Sequence, residues 1–126
     1  MFRIEMLPAA HGDCLWIEYG TGSEVHRILM DGGPAHTYPG LRERILHLPP
    51  DERRFDLLVV THIDADHIEG IIRLLRDAQA LRCRFERIWF NGRDQLNAVP
   101  DPAGVPLGAA QGEYLGILID DYQQAV

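Results

Sequence analysis

Phe55-Asp56-Leu57-Leu58-Val59-Val60-Thr61-His62-Ile63-Asp64-Ala65-Asp66-His67 is the stretch on which the reading of this sequence turns. Its first six residues are nearly all apolar, as a central strand buried on both sides requires. The strand runs directly into a polar loop. From Ile68 onward, Ile68, Ile71, Ile72 and Leu75 recur at i, i+3, i+4 and i+7 opposite Glu69, Arg73 and Arg76, which predicts an amphipathic helix. A strand, a polar loop at its end and a helix leaving that loop define an α/β unit.

Upstream of this unit, Phe2, Ile4 and Met6 alternate with Arg3 and Glu5, the period of a strand with one buried face. Cys14 to Tyr19 predicts a second strand. Gly20-Thr21-Gly22-Ser23 then turns the chain into a third, Val25 to Met30, to open a β-meander. Asp31-Gly32-Gly33-Pro34 ends that strand, because a proline cannot continue a ladder and the glycines allow positive φ. A short helix follows, with Leu41, Ile45 and Leu48 on one face and Pro49-Pro50 at its end. Downstream, Phe85 to Phe90 predicts another strand and Asn91 to Gly108 a long loop. Ala109 to Gln124 carries apolar residues at helical spacing, interrupted by Gly112 and Gly116.

At 126 residues, with 46% apolar and 25% charged residues, the chain has the composition of one globular domain. Twelve Lys and Arg against nineteen Asp and Glu leave a net charge of −7, which argues against a broad basic face gripping nucleic acid. It does not exclude a nuclease, since metal ions in a carboxylate-rich cleft invert the field locally. Cys14 and Cys83 are too far apart in sequence for a Cys-x-x-Cys pair and suggest neither a disulfide framework nor a thiolate zinc site. There is no basic start followed by an apolar run, and no stretch nears the ~18 apolar residues of a membrane span. The expectation is a cytoplasmic protein that does not enter a membrane.

The chemistry concentrates in the loop. His62, Asp64, Asp66 and His67 place two imidazoles and two carboxylates within six positions, the donors that zinc, manganese and iron accept. His62 and Asp64, two apart on extended chain, can point the same way. Asp66 and His67, where the chain turns into a helix, can face a second ion. The plain structural alternative is that Asp66 caps the helix, with Glu69 completing a pair like a capping box, and that both histidines are surface residues. Capping explains one of the four.

His62-x-Asp64-x-Asp66-His67 after an apolar strand resembles the signature loop of the metallo-β-lactamase superfamily. The commonest pattern there has histidine where this chain has Asp64; the aspartate form is similar to the hydrolase domains of bacterial DNA-uptake channel proteins and their soluble relatives. His11-Gly12-Asp13 and Leu29-Met30-Asp31-Gly32-Gly33 are similar to the family's two opening motifs, in their usual order. The resemblance covers residues 1 to 80 well and the rest weakly.

It implies a mixed β-sheet with flanking helices, the N-terminal half of an αββα sandwich, over a single incomplete domain spanning residues 1–126. It implies two divalent ions, zinc first and manganese or iron as alternatives, with His62 and Asp64 on one and Asp66 and His67 on the other. Asp31, Asp13 and His11 would stand behind them, and Asp66 would also orient the attacking water. The implied activity is hydrolysis by a metal-bound hydroxide, with a phosphodiester of nucleic acid favoured, through Asp64, over a small ester or lactam. Two carboxylates supply −2 against the +4 of two divalent ions, and no histidine follows His67. Further ligands would come from a second β-sheet half or from a partner chain, including another copy of this one. A different class of reading is a non-catalytic half-domain that serves as an interaction module until a partner completes the site.

Other residues carry less. Cys14 on an apolar strand reads as core. His11 either lines the cleft beside Asp13 or sits in a solvent-exposed turn, and Asp31 without the resemblance would be a turn residue. His26, His36 and His47 read as surface residues without acidic companions. Arg82, Arg84 and Arg87 read as a solvated face.

Overall fold

In the computed structural model, which describes residues 1–90 and 114–120, the chain opens as the meander its alternation predicts. β1 (Phe2–Met6), β2 (Leu15–Thr21) and β3 (Glu24–Met30) pair antiparallel, with Ile4 opposite Ile17 and Ile17 opposite Ile28. After a 3-10 turn at Ala35–Thr37, α1 (Tyr38–Leu46) carries Pro39 in its first turn, where a missing N–H costs no helical bond. Leu41 and Ile45 are buried, and Leu48 packs against the core from beyond the helix end.

The apolar run 55–60 does not form one strand. It divides into β4 (Arg54–Phe55) and β5 (Leu57–Val59), with a bend at Asp56. The cause is local. Asp56 Oδ2 accepts from the Arg27 amide at 3.0 Å, Oδ1 lies 3.2 Å from His26 Nδ1, and its own amide donates to Arg27 O. α2 (Ala65–Leu81) starts three residues before the apolar stripe and buries Ile68, Ile71, Leu74, Leu75, Ala78 and Leu81. The run 85–90 divides in the same way into β6 (Arg84–Phe85) and β7 (Ile88–Trp89). At the matched bends Phe55 and Phe85 leave the main sheet, pair in a two-stranded parallel sheet and stack with ring centroids 5.4 Å apart.

The main sheet is mixed, in the order β1-β2-β3-β5-β7, with β3, β5 and β7 mutually parallel. The protein is therefore α/β with a mixed sheet and helices. α1 connects β3 to β5 and α2 connects β5 to β7. Two crossovers of one hand that step in the same direction put both helices on the same face, and α1 and α2 pack on each other there. Trp16, Leu29 and Leu58 fill the space beneath them, and Trp16 meets Phe55 edge to face at 4.9 Å. Residues 114–120 are helical and add Leu115 and Ile119 to this core. The long loop expected at Asn91 to Gly108 lies outside the described residues, as do both ends of the helix expected at Ala109 to Gln124.

One expectation is reversed. β1 forms where predicted, but its apolar face, Phe2, Ile4 and Met6, is the exposed one. Arg3 and Glu5 point to the helical side instead, because neighbouring positions there are charged. Arg27 Nε donates to Glu18 Oε2 at 2.9 Å, Arg44 of α1 bonds Glu5 at 2.8 Å and approaches Glu18 at 3.6 Å, and Arg3 reaches Glu18 at 3.2 Å. The Arg44 guanidinium also lies 4.1 Å above the Trp16 ring.

Candidate metal centre

Two neighbouring parallel strands deliver the candidate residues. Asp31 follows the last residue of β3, and Thr61-His62 follow β5 after Val60, so both arrive at the carboxyl ends of adjacent strands, where open α/β sheets place ligands. α2 then begins at Ala65 and carries His67 in its first turn.

Close backbone contacts lock these segments together. Asp31 N donates to Val59 O, Gly32 N to His67 O and Gly70 N to Gly33 O, all between 2.8 and 2.9 Å. A Cβ on Gly70 would stand 1.9 Å from Gly32 O, and one on Gly12 would stand 1.9 Å from Asp66 O. Glycine at 70 lets α2 lie against the 31–33 turn, and glycine at 12 lets the 11–13 loop lie against the start of α2.

Asp31 is the hub. It is 2% exposed and its φ of 61° is left-handed, a conformation that a short polar side chain tolerates better than most. Oδ1 accepts from the Thr61 amide at 2.8 Å; Oδ2 accepts from the Thr61 hydroxyl at 2.5 Å and lies 3.1 Å from His67 Nδ1. Thr61 Oγ1 is also 2.8 Å from His62 Nδ1. An ionised Asp31 selects one tautomer for each ring. A carboxylate only accepts, so the Thr61 proton goes to Asp31 and His67 Nδ1 carries a proton toward Oδ2. The Thr61 oxygen then accepts from His62 Nδ1–H. In that tautomer Nε2 is the nitrogen each ring offers a metal, the arrangement in which a carboxylate orients a ligating histidine.

Asp31, His62 and His67 each offer a donor atom within 4.8 Å of the others, and the two imidazole centroids are 4.7 Å apart. This cluster can hold a metal ion. Asp13 lies at its margin, 3.8 Å from His67 Nδ1. Asp64 and Asp66 are exposed, lie outside the cluster, and make no side-chain hydrogen bond or ion pair with a described residue. His11 is likewise exposed. The capping alternative does not describe the loop: Asp64 occupies the N-cap without a side-chain bond, and Glu69 accepts from the Ala35 amide at 2.9 Å.

Thr61 was the residue that sequence reasoning passed over, its only signal being a hydroxyl at the strand end beside the first histidine. His26 is not without an acidic companion, since it pairs with Asp56 and stacks on Tyr19 at 5.1 Å. For Asp56, burial acts to raise the carboxyl pKa, but the Arg27 amide and His26 outweigh it and hold the group below its ordinary range. Cys14 is buried; desolvation, and then the Asp31 charge, push its thiol up to about 12, so it is no thiolate near neutral pH. No helix among the described residues is long and apolar enough to cross a membrane.

Compared with protein-family models, curated proteins and solved structures, the chain matches none.

Proposed function

We propose that this protein is a metal-dependent hydrolase whose centre is the Asp31, His62, His67 cluster, and that a phosphodiester in nucleic acid is its preferred substrate over a small ester or lactam. The observation that carries the reading is the convergence of three N and O donors within 4.8 Å, at the ends of two adjacent parallel strands. The donor set suits a divalent ion: two imidazoles with free Nε2 lone pairs beside a buried carboxylate are what zinc accepts, and manganese or iron takes the same atoms. When bound, such an ion lowers the pKa of the water it holds and polarises the oxygen of the bond under attack.

The chain's own residues have separable tasks. His62 and His67 supply neutral nitrogen. Asp31 holds both rings in register, His67 directly and His62 through Thr61. Asp64 and Asp66, exposed at the start of α2, bring further negative charge; by the resemblance to metallo-β-lactamases Asp64 serves as a ligand, and Asp66 both ligates and orients the attacking water. With Asp31 counted, the three carboxylates bring −3 against the +4 of two divalent ions, and we hold to a two-ion site on that resemblance. On the same ground we place the chain as the first half of an αββα sandwich in a cytoplasmic enzyme.

Chromogenic phosphodiester and carboxylic-ester substrates, assayed side by side with added zinc or manganese, test the proposal. Metal-dependent turnover of the diester, abolished by chelation and by Asp66→Ala, is expected. Turnover confined to the carboxylic ester would refute the substrate preference, and failure of both substrates in the presence of bound metal would refute the hydrolase.

The second reading, an interaction module that needs a partner to complete the site, is favoured by one specific observation: among the described residues, no element covers the apolar face of the main sheet opposite the helices.

A further inference from the structure

The residue registers assign every main-sheet side chain to one of two faces. On the face away from α1 and α2 they form three rows across the strands. The first is Phe2, Tyr19 and His26; the second Ile4, Ile17, Ile28 and Leu57; the third Met6, Leu15, Met30, Val59 and Trp89. Eleven of these twelve are hydrophobic, and the twelfth, His26, stands at the margin, paired with Asp56. These rows hold no Lys, Arg, Asp or Glu, and the only charged residue the register adds to this face is Glu24, opposite Thr21 at the β2–β3 turn end, whereas the covered face of the same strands holds Arg3, Glu5, Glu18 and Arg27.

Phe2, Ile4, Met6 and Trp89 are between 54% and 78% exposed, and the rows' interior residues are only partly covered. A sheet face this apolar is one that a second layer normally buries. We propose that it is a self-association surface, on which two copies of this chain pack sheet to sheet about a two-fold axis.

A second copy suits the face for three reasons. A surface whose charge is confined to its rim, at Glu24 and Asp56, meets no like-charge repulsion at its centre when packed against itself, which a two-fold interface requires. Its size is adequate: taking roughly 200 Å² for a large apolar side chain, the open fractions amount to roughly 600–800 Å² per copy. That is close to the ~800 Å² each partner brings to a standard interface. Its rim is polar, with Thr21 and Glu24 at the β2–β3 turn and His26–Asp56 beside them, the anatomy of an apolar centre with a wet border. Sheets stack about 10 Å apart and about 30° off alignment. The product is helix, sheet, sheet, helix, with each copy's third row leading into its own Asp31 and His62 segments.

Sedimentation velocity over a range of micromolar concentrations tests this, together with acrylamide quenching of tryptophan fluorescence. Trp16 is fully buried, so quenching reports Trp89. Expected are a dimer for the wild type, Trp89 increasingly protected as concentration rises, and a monomer with unprotected Trp89 for Ile4→Lys, Met6→Lys, both on the edge strand. Arg73→Asp, on the exposed side of α2, should remain dimeric. A wild-type monomer with Trp89 open at the highest concentration would overturn the proposal, whether the face then stays bare or takes a different occupant. So would a dimer that survives the double lysine substitution. The wild-type quenching series decides the matter even should that variant fail to fold.

Discussion

Asp31, just past the end of β3, and Glu18, within β2, are both buried carboxylates, 2% and 4% exposed, and they are satisfied in opposite ways. Glu18 is enclosed by cations: Arg27, Arg3 and Arg44 all approach it within 3.6 Å, and Arg27 is itself buried and spends another donor on Glu52 O. Its partners are guanidinium cations, which have no lone pair to offer a metal. Asp31 is held by one amide, one hydroxyl and one imidazole, and the imidazole retains a second nitrogen. A buried acid surrounded by arginines is a closed structural unit; one that orients histidines leaves its chemistry open. Burial alone does not separate the two. What the partners can still do does.

The largest effect should come from the closed unit. Glu18→Ala leaves Arg27 buried without a counter-charge, and breaking such a pair costs about 3–5 kcal/mol. Urea unfolding should register that loss, whereas metal binding per folded chain should not change. A loss below about 1 kcal/mol would mean the cluster relaxes into water.

Asp31→Asn should reverse the pattern. The amide still accepts from Thr61 N, so the stability cost should stay near 1–3 kcal/mol. Metal affinity should fall about 10–100-fold, the usual consequence of losing a carboxylate that orients a ligating histidine. Isothermal titration with zinc or manganese reads this directly; unchanged affinity would place Asp31 outside the centre.

Thr61→Val sharpens the contrast within the centre, since it removes only the link to His62. About a 10-fold weakening is expected, at the low end of the same range, with Thr61→Ser restoring affinity. Long-range proton–nitrogen NMR of the metal-free chain should find both rings protonated on Nδ1 in the wild type, and His62 alone released in the valine variant. A His62 ring already mixed in the wild type would contradict the Thr61 link.

The smallest effect concerns Asp56. Its pKa is depressed in the folded chain, so it adds stability above the unfolded carboxyl value, and that stability is lost as pH falls through the lower folded value. Asp56→Asn should therefore cost a modest amount of stability at neutral pH and flatten the acid side of the curve below about pH 4, the gap to the wild type closing as pH falls. An equally steep acid limb in the variant would remove Asp56 from that role.

Much of this molecule could be read from the chain. The meander, the helix from Ile68 and the concentration of donors after Val60 all follow from period and composition. Which face of β1 is buried did not, because alternation gives the period of a strand and not the side its neighbours complement; Glu18 and Arg27 decided it across the sheet. The bend at Asp56 was hidden because the run 55–60 looks continuous while the Asp56 side chain bonds to the Arg27 amide; the bend at Glu86 was hidden because it rests on contacts with β4, the Glu86 amide on Phe55 O and its carboxylate on Arg54. In the centre, the two histidines stood out by spacing, but Thr61 and Gly70 matter through contacts with Asp31 and Gly32, some thirty to forty positions away in sequence. Proximity of that kind is created by folding.

The proposed function stands or falls on whether His62 and His67, aligned by Asp31, hold metal. Elemental analysis of the protein after loading with zinc or manganese and exhaustive dialysis tests it most directly, with wild type beside a His62→Ala, His67→Ala double variant and a His36→Ala control. One to two ions per chain are expected in the wild type and the control, and none in the double variant. No retained metal in the wild type, or equal retention in the double variant, would contradict it.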